Sequence, residues 1–428
     1  MPRLDSWKEI AHYLGRDVRT VIRWEERGLP VHRIPGGKIS RVFAFPDELD
    51  EWLRTGPANG YAAPLSQDPT APAPPATANR AGHVGGLVVA LAGVAALVLI
   101  AARTRIGPDP VPRRLEVSGG QLLAYDAGSS RPLWAKRLDE GHMSTSWGRW
   151  HAIQDLDDDG RDEILTAVQV HQRNSTEHAG VLSRLAADGR EDWSLRITDR
   201  LRFGKNEYGP PWPTDDFVVY RADGETRIAW LVHQFTWWPG LLVSVNAKGE
   251  RRGIFVNSGW LRAVQPSVDG RYLFVSGISN SRRAYILAVL DARRPTGRSP
   301  EPSGAETECV SCPAGEPLHY IVLPRTEVGQ TQPFPANGPS IQTFEDGSVQ
   351  VQTHESDAGP IATVVFTFTP NATLQGMQFN DAYLERHRHL EAIGGLTHTD
   401  LDCPERRGLV AQHWTPVSGW RQARVAAQ

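Results

Sequence analysis

Residues 84–102 are the stretch that most restricts how this chain can fold. The run VGGLVVALAGVAALVLIAA contains nineteen consecutive residues without a charged side chain. A helix rises about 1.5 Å per residue, so this segment is long enough to cross a hydrocarbon core of about 30 Å. A buried core helix is the alternative, but a helix that is apolar all round needs a large protein around it. The sequence therefore predicts one transmembrane helix over residues 84–102.

The predicted span divides the chain into unequal parts. Residues 55–83, just before it, are rich in Pro and Ala and almost free of charge, which is typical of an extended linker. The predicted domains are therefore residues 1–54, the linker, the span, and a large region over residues 103–428. The whole chain has 46 Lys and Arg against 49 Asp and Glu, a net charge of −3, which excludes a polycation. Nucleic-acid binding would have to come from a local basic patch.

Residues 1–54 have the pattern of a small helical module. Ser6 and Glu9 form a capping box ahead of apolar residues at helical spacing. A second helix is predicted over residues 18–27, followed by two β-like runs joined by the turn sequence PGGK at residues 35–38. The order of these elements predicts a helix-turn-helix followed by a hairpin.

The motifs WKEIAHYLGR, VRTVIRWE and GLPVHR in this module resemble the winged helix-turn-helix of the MerR and excisionase-like families. In those families the second helix enters the major groove and the hairpin wing contacts the backbone or the minor groove, which implies double-stranded DNA as the partner. Seven Lys and Arg against three Asp and Glu lie between Gly15 and Arg41, so basic groups gather on the elements that would face phosphate. For any single arginine, a solvated helix face is the alternative. The resemblance implies DNA contacts from Arg16, Arg19, Thr20, Arg23, Arg33, Lys38 and Arg41.

The segment DLDDDGRDE, at residues 155–163, carries the chemistry of a calcium loop. Alternating carboxylates followed by a glycine place hard oxygen donors inside a tight turn, and a backbone carbonyl and a final carboxylate would complete the set. The segment resembles the FG-GAP loop of integrin-α-like propellers, with Glu in place of the last Asp. An acidic β-turn without an ion is the alternative. The predicted calcium ligands are Asp155, Asp157, Asp159, Arg161 through its carbonyl, and Glu163.

A second pattern recurs through the large region. Alternating apolar strands, Asp-Gly or similar turns and tryptophans repeat at intervals of about sixty residues, as at Gly189 and Gly249. Such repeats are typical of a β-propeller, in which most tryptophans pack between blades. The predicted fold class is thus multidomain: a winged helix-turn-helix, one transmembrane helix and an all-β propeller-like domain.

Three cysteines are too few for a disulfide scaffold or a four-cysteine zinc site. Cys309 and Cys312 form a C-x-x-C in a loop rich in Gly and Pro. We predict a local disulfide between them, with Cys403 left as a free thiol. Zinc would need a histidine to join the thiols.

Together these features predict a single-pass membrane protein with a cytoplasmic N-terminus and an extracytoplasmic sensor domain. It would act as a transcriptional regulator rather than an enzyme, with an unidentified outer ligand or protein as partner. One DNA-binding module makes few contacts, so a homodimer is expected. Four arginines follow the span closely, and by the positive-inside rule they favour the opposite orientation. A surface-displayed calcium-binding adhesion or protein-binding module is the alternative function, and a propeller enzyme is a third.

Overall fold

We describe the protein from a computed structural model. The structure describes residues 4, 7–14, 21, 29–33, 42–46, 48–49, 112–137, 142–146, 148–171, 178–235, 239–335, 337–356, 360–398 and 402–425. The chain divides into two compact units, Met1–Arg105 and Ile106–Gln428. Each unit is described by itself.

In the first unit the described residues form helix α1 (Trp7–Tyr13) and the two short antiparallel strands β1 (His32–Arg33) and β2 (Val42–Phe43). A small apolar core surrounds Ile10 and includes Val21 and Leu49. Of the predicted second helix, only Val21 belongs to the described residues. Among its described residues this unit has one complete helix, α1, and one pair of two-residue strands, so the winged helix-turn-helix expected from the sequence is wrong for this part of the chain.

The second unit is mostly β-sheet. Its strands up to residue 208 are β3 (Arg114–Ser118), β4 (Gln121–Tyr125), β5 (Trp134–Lys136), β6 (His142–Thr145), β7 (His151–Gln154), β8 (Glu163–His171), β9 (His178–Leu185), β10 (Glu191–Leu195), β11 (Leu201–Phe203) and β12 (Asn206–Tyr208). The next strands are β13 (Thr214–Ala222), β14 (Glu225–His233), β15 (Gly240–Asn246), β16 (Arg251–Asn257), β17 (Leu261–Pro266), β18 (Tyr272–Ser279), β19 (Ala284–Asp291), β20 (Gly297–Arg298) and β21 (His319–Val322).

Within the described part of this unit, helices occur only towards its C-terminal end. The remaining elements are α2 (Glu327–Gln330), β22 (Ser340–Thr343), β23 (Val349–Ser356), β24 (Ala362–Phe368), β25 (Leu374–Phe379), α3 (Asp381–Ala392), a 3-10 helix (Pro404–Arg407), β26 (Leu409–Thr415) and β27 (Gly419–Val425).

The described strands of this unit form five main sheets. In chain order they are β3-β4-β5, then β10-β9-β8-β6 with β7 also paired to β8, then β13-β14-β15-β16-β20, then β17-β18-β19-β21-β26-β27, and finally β22-β23-β24-β25. Apolar cores lie between each sheet and the next. Strands covered on both faces read as continuous apolar runs, as β15 does in LLVSV, while β23 alternates buried and half-buried residues along VQVQT.

Two tryptophans each contact a turn of the neighbouring sheet. The ring of Trp134 lies against Gly189, and its Nε1 donates to the Ala187 carbonyl at 2.9 Å. One sheet further on, Trp193 lies against Gly249 and donates to the Ala247 carbonyl at 2.8 Å. The recurring turns and tryptophans seen in the sequence thus form a repeated contact between sheets, and these two tryptophans pack between sheets as predicted.

The predicted propeller is wrong: the described strands form no closed ring. The five main sheets hold three, five, five, six and four strands, whereas propeller blades repeat one four-stranded unit. The C-terminal hairpin β26-β27 pairs with β21 and so enlarges the fourth sheet. Because the hairpin belongs to the fourth sheet, it does not close a ring by pairing the last sheet with the first.

No helix among the described residues has the length and apolar character needed to cross a membrane. This finding corrects the predicted single-pass topology with a cytoplasmic N-terminus and an extracytoplasmic C-terminal domain. The predicted span over residues 84–102 lies outside the described residues, as does the linker before it.

Candidate metal centre

Four side chains of different chemistry meet beside helix α3. Glu327, His387, His398 and Cys403 each offer one ligand atom, and these four atoms all lie within 4.8 Å of one another. His387 and Cys403 are buried, and Glu327 and His398 are half-buried. We call these four residues the EHHC cluster.

Helix α2 positions Glu327. Thr326 caps the helix, its hydroxyl accepting from the Gly329 N–H at 3.0 Å. The Glu327 N–H donates to Oε1 of Glu405 at 2.6 Å, which ties the start of α2 to the 3-10 helix. These two contacts fix the backbone at Glu327, from which its carboxylate extends.

Helix α3 positions His387. The helix begins after Asn380, whose side chain accepts from the Tyr383 N–H at 2.9 Å. Tyr383, His387 and Leu390 are the buried residues of the helix, and their spacing places them on one face. His389 is exposed. Of the two histidines on this helix, only His387 therefore faces helix α2.

The segment after α3 supplies the other two ligands. The chain turns at Gly394, where φ is +72°, and Leu396 packs against the core. Cys403 then caps the 3-10 helix, in which Glu405 is buried. Both Glu405 oxygens accept from the Tyr383 hydroxyl, at 2.8 and 2.7 Å. The anchoring of Glu405 to Tyr383 therefore brings the segment that carries Cys403 back to α3.

The donor atoms of the EHHC cluster are almost at the separations of a metal site. His387 Nε2 is 2.9 Å from Oε2 of Glu327, and His398 Nε2 is 2.8 Å from both oxygens of that carboxylate. Cys403 Sγ is 3.7 Å from His387 Nε2 and 3.9 Å from Glu327 Oε2. Zinc bonds of about 2.0–2.1 Å to nitrogen and about 2.3 Å to sulfur give tetrahedral edges of about 3.3–3.6 Å. Small movements of the side chains would admit an ion.

The surroundings of the EHHC cluster are acidic. Burial raises the pKa of the Cys403 thiol, and the nearby carboxylates of Glu405 and Glu327 raise it further. Burial also raises the pKa of Glu405 and of Glu355, which accepts a hydrogen bond from the Thr326 hydroxyl at 2.6 Å. A cation placed among these groups would stabilise their charged forms.

The predicted calcium loop is partly assembled. Asp155, Asp157 and Asp159 bring carboxylate oxygens within 4.8 Å of one another. The Gly160 N–H donates to Asp155 at 2.9 Å, and the Arg161 N–H donates to Asp159 at 2.8 Å. The loop therefore closes as an acidic turn whose carboxylates already accept from its own backbone.

Glu163, the last predicted calcium ligand, is placed differently. It is buried at the start of β8, where it accepts from the Leu156 N–H at 2.9 Å and lies 3.4 Å from Arg184. Arg184 also pairs with Asp157 at 2.5 Å, and Arg221 pairs with Asp158 at 2.8 Å. Arginines thus neutralise part of the charge that an ion would neutralise.

The predicted DNA contacts lie outside the described residues, apart from the backbone of Arg33 in β1. Double-stranded DNA as a partner therefore stays a prediction from the sequence. Cys309 and Cys312 form a disulfide, and Cys403 is a free buried cysteine.

Sequence reasoning missed the EHHC cluster. Three of its members lie within seventeen residues, in the pattern H-x10-H-x4-C, but Glu327 precedes His387 by sixty residues. The signal that could have found it is a cysteine five residues after a histidine, close to a helix with another histidine on its buried face.

Comparisons with known proteins give only distant structural likenesses. No protein-family model matches it, and no curated protein matches it. Among solved structures, Kuenenia stuttgartiensis hydrazine synthase has 12% identity and a TM-score of 0.34, covering 73% of this chain and 76% of its own. A eukaryotic initiation factor has 8% identity and a TM-score of 0.29, covering 62% of each chain.

A variant of the Synechocystis apocarotenoid oxygenase has 10% identity and a TM-score of 0.27, covering 61% of this chain and 68% of its own. The names of the synthase and the oxygenase are those of enzymes. With TM-scores this low, these likenesses carry no argument about the activity of this chain.

Proposed function

We propose that the second unit is a metal-binding domain whose EHHC cluster holds one structural Zn²⁺ ion. The observation that carries the proposal is the meeting of four donor atoms, two imidazole nitrogens, a thiol and a carboxylate oxygen, within 4.8 Å. They come from α2, from α3, from the turn after it and from the start of the 3-10 helix. Such convergence from separate elements is what a site that stabilises tertiary structure requires.

The donor set favours zinc over harder ions. Zinc accepts thiolate, imidazole and carboxylate ligands in tetrahedral sites, whereas calcium and magnesium take oxygen ligands. A buried thiol beside two imidazole rings supports a borderline-soft ion. Copper and iron also bind such ligands, so the experiment must identify the bound metal as well as count it.

The arrangement favours a structural role over a catalytic one. Four protein ligands complete a tetrahedron, whereas catalytic zinc keeps one position for water or substrate. A cavity of about 370 Å³ lies beside Trp414 and Trp420, and a small one of about 10 Å³ lies beside Arg325 and Glu355. Neither is lined by a member of the EHHC cluster. The ion would fasten α3 and the 3-10 helix immediately before the hairpin β26-β27.

Metal analysis of the purified full-length chain tests this proposal. After dialysis against metal-free buffer, we expect about one zinc per chain by inductively coupled plasma mass spectrometry, since a closed site retains its ion. His387→Ala and Cys403→Ser should each lose most of the metal. His389→Ala is the matched control, because His389 lies exposed on the same helix, and it should keep the full content. Equal zinc in His387→Ala and wild type would contradict the proposal.

We propose calcium as the ion of the loop at Asp155, Asp157 and Asp159, supported by their convergent carboxylates and their oxygen-only chemistry. This candidate is the weaker one, since arginines already pair with Asp157 and Asp158. Calcium titration with a fluorescent competitor should show a site that Asp157→Asn weakens and His387→Ala leaves unchanged. An identical titration for wild type and Asp157→Asn would count against it.

A further inference from the structure

Glu391 lies directly behind both histidines of the EHHC cluster. It follows His387 by one helical turn on α3 and is half-buried. Its Oε1 atom is 3.7 Å from Nδ1 of His387 and 3.5 Å from Nδ1 of His398. One carboxylate oxygen therefore faces the outer nitrogens of two rings whose inner nitrogens face Glu327.

The same oxygen is unusual in its own surroundings. Oε1 of Glu391 is buried and accepts no hydrogen bond within the described part of the chain. A buried carboxylate oxygen without a donor is destabilising by roughly 1–3 kcal/mol or more, so most such atoms in folded proteins have partners. The burial of this oxygen is explained if two hydrogen-bond donors face it when the metal ion is bound.

Metal binding would create those two donors. An imidazole that binds an ion through Nε2 carries its remaining proton on Nδ1. His387 and His398 both present Nε2 to the EHHC cluster, so both Nδ1–H groups would point towards Glu391. A carboxylate oxygen has lone pairs enough to accept from both.

We propose that Glu391 is a positioning residue shared by the two histidine ligands. It fixes both rings in the Nδ1–H tautomer, holds their planes towards the ion, and adds a negative charge behind the metal. The inference rests on the proposed zinc centre and deepens it, since it assigns the outer shell that determines how tightly the ion is held. Outer-shell carboxylates of this kind typically change metal affinity by about 10- to 100-fold.

The test compares Glu391 variants with a matched control on the same helix. Zn²⁺ affinity of the full-length chain is measured by competition with a chromophoric chelator for wild type, Glu391→Ala, Glu391→Gln and Glu385→Gln. Glu385 is exposed on α3 and serves as the control. We expect Glu391→Ala to weaken binding by roughly 10- to 100-fold, Glu391→Gln to recover part of the loss because its amide oxygen still accepts, and Glu385→Gln to match wild type.

A spectroscopic measurement separates positioning from simple loss of structure. Co²⁺ replaces Zn²⁺ and reports ligand geometry through its visible absorption. We expect the Co²⁺ spectrum to change in Glu391→Ala, while the unfolding midpoint of the metal-free variant does not fall below that of metal-free wild type, because the substitution removes a buried oxygen without a donor.

Three outcomes would overturn the inference. Unchanged affinity and an unchanged Co²⁺ spectrum in Glu391→Ala would remove the role of Glu391 and leave the zinc centre standing. Loss of binding in Glu391→Ala with full binding in Cys403→Ser would place the ion on the Nδ1 side instead. Absence of bound Zn²⁺ in wild type would remove the zinc centre itself, and the inference with it.

Discussion

At the scale of single residues, Glu225 is the group whose charge the fold stabilises most clearly. Its carboxylate accepts from Arg252 at 2.8 Å and from Asn246 at 2.9 Å, and Arg227 lies 3.0 Å away. These contacts, with the Arg252 hydrogen bond the largest, lower the pKa of Glu225 from 4.5 to about 2. A lowered pKa means that the folded state favours the charged carboxylate.

We therefore expect Glu225 to stabilise the protein above pH 4.5 and to lose that contribution as the pH falls from 4.5 towards 2. Glu225→Gln should lower the free energy of unfolding at pH 7 by roughly 1–2 kcal/mol, because partial exposure screens the pairs. The gap between variant and wild type should narrow below pH 4.5 in urea unfolding.

Glu207→Gln is the control, since Glu207 forms a single pair with Arg200 on the surface and should change stability little. A gap between Glu225→Gln and wild type that stays constant from pH 7 to pH 3 would show that the charge of Glu225 is not the cause.

Single residues also show what the sequence could and could not reveal. Asp155, Asp157 and Asp159 were predictable as a group because alternate positions within one tight turn necessarily lie close together. Spacing along helix α3 places His387 and His389 on different faces, and in the structure the first is buried and the second exposed. The second histidine of the EHHC cluster is His398, which lies beyond the end of the helix. Only tertiary packing brings Glu327 close to both histidines.

At the scale of elements, the contact between a tryptophan and the turn of the next sheet is the repeated feature. Gly249 has φ of +79°, and a Cβ there would lie 3.0 Å from Cδ2 of Trp193. Gly224 has φ of +74°, and a Cβ there would meet nothing within 4 Å. The two turns share the backbone conformation but differ in the neighbouring ring.

This pair separates backbone strain from packing. Gly224→Ala should lower the free energy of unfolding by about 1 kcal/mol, because an L-residue resists the left-handed conformation. Gly249→Ala should lower it by roughly 2–3 kcal/mol, since the methyl group also displaces Trp193. Urea unfolding of both variants, followed by far-UV circular dichroism, checks this. Equal losses would mean that the ring adapts without strain and that the contact adds little.

At the scale of the whole molecule, the sequence predicted the β-rich character of the second unit and its packing tryptophans, because alternation and turn residues are local signals. It did not predict which strands share a sheet. Hairpin β26-β27 pairs with β21, about ninety residues earlier in the chain, and nothing local in LVAQHWT specifies that partner. A closed propeller is the simplest arrangement of similar repeats, and it was therefore the predicted fold. The structure differs because the C-terminal hairpin pairs with the distant strand β21.

The proposed zinc centre acts at this scale too, since it would join helices α2 and α3 and the segment leading to the C-terminal hairpin. Its most direct test is X-ray absorption at the zinc edge of the full-length chain. We predict two nitrogens and one oxygen at about 2.0–2.1 Å with one sulfur at about 2.3 Å, the sulfur being absent in Cys403→Ser. A wild-type spectrum with nitrogen and oxygen neighbours alone, or one unchanged by Cys403→Ser, would contradict the account.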